Sequence, residues 1–84
     1  MMNAQECIEQ RLREVFAPTH LKLEDESHQH VGHAGAQGGR HYALYIQSAQ
    51  FEGQSRVHSH RMIYDALNPL DQYGIHALKI SILK

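Results

Sequence analysis

Near the amino terminus the apolar residues Cys7, Ile8, Leu12, Val15 and Phe16 recur at helical spacing and share one face. Asn3-Ala4-Gln5-Glu6 ahead of them has the form of a capping box, with Asn3 as N-cap, and Pro18 predicts the end of the helix. From Thr19 to Asp25 the period changes to two, with Leu21 and Leu23 alternating against Lys22 and Glu24, which predicts a strand. A second strand is predicted over His41 to Ser48, with Tyr42, Leu44 and Ile46 on one side and Ala43 and Tyr45 on the other. Phe51-Glu52-Gly53 reads as a turn. Helical spacing returns over Arg56 to Leu67, with Val57, Ile63, Ala66, Leu67 and Leu70 as the expected buried stripe and Asn68-Pro69 as the stop. The last strand, Ile75 to Leu83, alternates again. His76, Leu78, Ile80 and Ile82 are expected on one face and Ile75, Ala77, Ser81 and Leu83 on the other.

The order helix, strand, strand, helix, strand restricts the topology. The first two strands can pair as an antiparallel hairpin. The strand–helix–strand segment that follows is a crossover, which favours parallel pairing with a right-handed connection. The expectation is an α+β domain: a three-stranded mixed sheet with helices packed on one face, occupying residues 1–84 as a single unit. Residues 26 to 40 follow neither period, and a connection of that length tends to be functional or disordered.

At 84 residues the chain has room for one core, and 42% apolar with 20% charged residues excludes an intrinsically disordered chain. No stretch approaches the roughly 20 apolar residues of a membrane span. Glu6 and Glu9 lie where a secretory signal would need an apolar block, so none is expected. The single cysteine, Cys7, cannot form an internal disulfide, which fits a reducing cytoplasm. A net charge of −1 argues against a strongly basic nucleic-acid binder.

Histidine changes the picture. Eight of the residues are His, equal to Lys and Arg together. His28, His30, His33 and His41 lie in or beside the long connection, where glycines at 32, 35, 38 and 39 would let several rings converge on zinc, copper or iron. A solvated surface loop accounts for the composition equally well. The spacing H-x-H-x-x-H without cysteine pairs matches no closed zinc finger. Arg56, His58, His60 and Arg61 open the second helix, where positive charge opposes the macrodipole; that cost is explained by binding an anion or acidic partner, or by a solvated turn with neutral histidines. By pattern, His76 is a core histidine on an apolar face, although its place at the strand's edge beside Tyr73-Gly74 leaves a ligand role open. Cys7 reads as packing, and nothing pairs a nucleophile with a base, so an enzyme is not expected. Gly35-Ala36-Gln37-Gly38 gives the G-x-x-G of KH domains, but between predicted strands rather than helices, and is discounted.

Asp25-Glu26-Ser27 with the histidine-bearing loop, Phe51-Glu52-Gly53, His60-Arg61-Met62-Ile63-Tyr64 and Ile75-His76-Ala77-Leu78 together resemble the BolA family across nearly the whole chain. The resemblance implies a class II KH-like αββαβ fold. It also implies a heterodimer with a monothiol glutaredoxin, in which the two proteins share a 2Fe-2S cluster with glutathione. The BolA partner contributes imidazole in place of thiolate, as in Rieske centres. Residue by residue, the family's ligand at the start of the last strand falls on His76 and its loop ligand on His30, with His28 and His33 as alternatives. His60 and Arg61 fall on a partner or nucleic-acid surface. The family is further described as containing transcriptional regulators. Arg40, Arg56 and Arg61 with His58 and His60 are the residues for a basic patch here, predicting weak, salt-sensitive DNA binding that strengthens below about pH 6.5.

Overall fold

The computed structural model describes residues 1–27 and 39–84. Helix α1 (Ala4–Phe16) begins with the expected capping box: the Asn3 side chain accepts from the Glu6 N–H at 2.8 Å, and the Glu6 carboxylate accepts from the Asn3 N–H at 3.1 Å. It ends at Ala17, which adopts the left-handed conformation (φ 42°) and donates back to the Arg13 carbonyl. Strand β1 (His20–Asp25) and strand β2 (Arg40–Gln47) pair antiparallel, with Leu23 opposite Leu44. Helix α2 (Arg56–Leu67) crosses over to strand β3 (Ile75–Ile82), which pairs parallel to β2 in the order β1-β2-β3. The α+β architecture read from the sequence is the one observed.

One face of the sheet is apolar because alternate residues of all three strands point to it: Leu23, then Tyr42, Leu44 and Ile46, then Ile80. Against it lie Ile8, Leu12 and Phe16 of α1 and Ile63, Ala66 and Leu67 of α2, forming one cluster. The carbonyls that a helix leaves unpaired at its last turn find side-chain donors here. Ser48 donates to the Phe16 carbonyl at 2.7 Å, Gln50 to Val15 at 2.8 Å, and Arg11 of α1 to Ala66 of α2 at 2.9 Å.

The turn read at Phe51-Glu52-Gly53 is present: it includes the end of a 3-10 turn, Ala49–Phe51, and the Phe51 ring is buried against Phe16. Two local expectations need correction. Val57 is 65% exposed, and the buried residue in the first turns of α2 is Ser59. Helical phase explains this: Val57 lies about 120° around the axis from Ile63, whereas Ser59 lies within about 40° of it. The uniform alternation expected for β3 is also interrupted. Arg40 pairs with Ile75 but His41 with Ala77, so His76 is the extra residue of a β-bulge. The bulge shifts the strand's parity by one residue. Ile75 is therefore buried along with Ile80, and His76 does not share a face with Leu78, Ile80 and Ile82.

Candidate functional site at the start of β3

The bulge decides what His76 can do. A histidine in the register read from the sequence would point into the core; at the bulge it is exposed. Three neighbours define its position. The backbone of Gly39 passes so close that a Cβ there would overlap the His76 Cβ and sit 2.9 Å from its Cγ, so only glycine fits. The adjoining Arg40 N–H donates to the Gly74 carbonyl at 2.9 Å, tying the start of β2 to the turn before β3. The ring of His41 stands 5.2 Å from that of His76, centroid to centroid, tilted by 52°.

His41 is itself fixed through its main chain. Its N–H donates to the Ser27 hydroxyl at 3.0 Å, and its carbonyl accepts the Glu26 N–H at 2.7 Å. Around this pair the charged side chains are coupled at the surface: Arg40 with Asp25 at 3.1 Å and Lys79 with Glu26 at 4.0 Å. Buried Tyr42, next along β2, has its phenol pushed above the ordinary value by burial and by the Asp25 carboxylate, with Arg40 opposing. The site thus presents one accessible imidazole, a second ring beside it, and a glycine backbone packed too close to His76 to admit a side chain.

Chemically, neutral imidazole is a borderline donor for iron, zinc or copper through either ring nitrogen. Among the described residues no three His, Cys, Asp or Glu side chains converge as a metal site. Within the described residues the two imidazoles that stand together are His76 and His41. Cys7, on α1, is half-buried. His28, His30 and His33, the loop positions singled out in the sequence, lie outside the described residues. His41, grouped by the sequence with His28, His30 and His33 as a candidate metal-binding ring, stands beside His76. Its contact with His76 comes from the pairing of His41 with Ala77, and the hint in the sequence was the shared position of both residues at strand starts.

The second group of candidates is elsewhere. Arg56, His58 and Arg61 are exposed on the N-terminal half of α2 and His60 is half-buried there. Ser55 caps the helix by accepting the His58 N–H at 3.1 Å, and the first turn holds no acidic residue. Arg40 does not join them. It sits at the opposite end of β2, engaged with Asp25, which removes it from the basic patch expected from the sequence.

A family model for BolA-like protein matches residues 12–84, the span that contains both strand starts and α2. The chain belongs to the BolA-like family. It is 42% identical over 79 residues to SufE-like protein 1, chloroplastic/mitochondrial, of Arabidopsis thaliana, covering 87% of this chain and 21% of that protein. It is 36% identical over 81 residues to the DNA-binding transcriptional regulator BolA of Haemophilus influenzae, covering 96% of this chain and 77% of that one. Among solved structures it resembles the BolA domain of SufE1 from Arabidopsis thaliana, with a TM-score of 0.82 and 38% identity over 98% of this chain and 92% of that one. In this BolA-like protein no helix among the described residues is long and apolar enough to cross a membrane.

Proposed function

We propose that this BolA-like protein is a non-catalytic adaptor of the cytoplasm. It binds a monothiol glutaredoxin and contributes imidazole to a 2Fe-2S cluster held between the two proteins with glutathione, for iron–sulfur trafficking or iron sensing. The observation that carries the reading is His76: an exposed imidazole at the β-bulge, with Gly39 packed against its side chain and the His41 ring 5.2 Å away. His30 is the second ligand in this reading, with His28 and His33 as alternatives in the same loop. When bound, such a cluster supplies one-electron chemistry whose potential rises as imidazole replaces thiolate. The chain's own part is to present the exposed His76 imidazole beside a surface that carries the Arg40–Asp25 and Lys79–Glu26 pairs.

The test is a titration of cluster-loaded monothiol glutaredoxin with this protein, followed by visible circular dichroism. A new spectrum that saturates at one to one and is lost in His76→Ala, with the far-ultraviolet spectrum unchanged, is the expected result. A second reading, a DNA-binding regulator, is favoured by the name of the Haemophilus influenzae relative and by the exposed Arg56, His58 and Arg61 of α2. No change in the cluster spectrum from a folded protein would sink the adaptor and shift the function to that helix. Two arginines neutralise few phosphates, so this second mode is weak and salt-dependent.

A further inference from the structure

β3 is an edge strand, and its outer side is only partly covered. The Leu83 N–H donates to the Ile46 carbonyl of β2 at 2.8 Å, so odd-numbered residues beyond the bulge turn their main-chain groups toward β2. Main-chain groups alternate along a strand, and those of Leu78, Ile80 and Ile82 therefore point away from the sheet. Leu78 is covered: its carbonyl accepts the Tyr64 hydroxyl at 3.2 Å, which ties α2 across the edge. Among the described residues, no hydrogen bond ties the first two turns of α2 to β3, and Ile80 and Ile82 have no main-chain partner outside the sheet. A groove of about 890 Å³ runs from this end of β3 along α2 and the 49–54 turn to Thr19 and Gln47 at the ends of β1 and β2. Phe51, Ile80 and Ile82 give it an apolar floor; Arg56, His60 and Lys84 line it against a single acid, Glu52. Val57, large and 65% exposed, lies on the helix turn next to it.

We infer that this groove takes an extended acidic peptide segment of a protein partner, which adds as a further strand to β3 at Ile80–Lys84. An unpaired edge offers main-chain donors and acceptors that only another extended backbone satisfies together. The apolar floor accepts alternate side chains of such a strand, and Arg56 and Lys84 select carboxylates on the intervening ones, with His60 as a hydrogen-bonding neighbour. Two cations are too few to hold a nucleic acid tightly, whereas they match one or two carboxylates. The site is separate from His76, which lies roughly 15–20 Å away along the same strand.

The test uses the full chain and a labelled peptide, acetyl-Val-Glu-Val-Glu-Val-Glu-amide, with fluorescence anisotropy and amide exchange by nuclear magnetic resonance. Binding should slow exchange at the Ile80 and Ile82 amides. Methylating two backbone nitrogens of the peptide should weaken it by about tenfold, as two lost hydrogen bonds would. Arg56→Glu, an exposed position where an acid also suits the helix terminus, should weaken it by about fivefold. Absence of binding at millimolar peptide would overturn the inference. So would binding indifferent to N-methylation, or a single-stranded oligothymidine that perturbs the same amides more tightly than the peptide.

Discussion

The two ends of β3 carry the two candidate surfaces, and they are built on opposite terms. At its start the strand is locked. Gly39 contacts the His76 side chain, the Arg40 N–H is bound to Gly74, and a bulge places the histidine where regular alternation would not. At its far end the strand is open, with outward main-chain groups, a groove and cations that engage no carboxylate within the described residues. The first arrangement, on the function proposed above, places the His76 main chain before any partner binds, because Gly39 packs against it. A surface that recognises a backbone and a charge benefits from the second, because it must admit a chain from solvent.

The contrast breaks most readily at Gly39. Gly39→Ala forces the start of β2 away from His76, and overpacking of this kind costs about 1–3 kcal/mol. Chemical denaturation should register that loss, with the His76 resonances shifted and the Ile80 and Ile82 amides unchanged. An equally stable variant would mean that the locked end yields. The next effect is on pH dependence. Tyr42 is buried at the locked end and its folded pKa is raised above the unfolded value of about 10. The folded state then holds the phenolic proton more firmly than the unfolded chain. Its contribution is fully present below about pH 10 and is lost as pH rises through the folded value. Urea midpoints measured across that range should fall, and Tyr42→Phe should flatten the fall. The smallest effect belongs to the open end. Val57→Ser should change stability by less than about 0.5 kcal/mol, since the side chain is exposed; a loss typical of a core valine would return Val57 to the buried stripe.

Much of this molecule was legible from its residues. Asn3 and Glu6 cap α1 as their spacing implied, and α2 runs over Arg56–Leu67, the bounds read from the sequence. The parallel β2–β3 pairing follows from the helical crossover between them, and the antiparallel β1–β2 pairing is the hairpin that the element order allowed. The candidate site was legible only in part. His76 stood out as a residue type at a strand start, but its exposure could not be read, because a single inserted residue reverses which face a side chain occupies. Ser59 is buried and Val57 exposed for a related reason: hydropathy names the better core residue, while helical phase against the sheet decides which one reaches it.

The sequence by itself determined the elements, their order and the supply of imidazoles, because caps, periodicity and connection lengths act over a few residues. Only the tertiary structure decided that His41 and His76 stand together, that Gly39 must be glycine, and that Arg40 and Arg56 serve opposite ends. Those relations depend on the β2–β3 register. The register is fixed by how the whole apolar face closes over the helices, and no local stretch of chain contains that information.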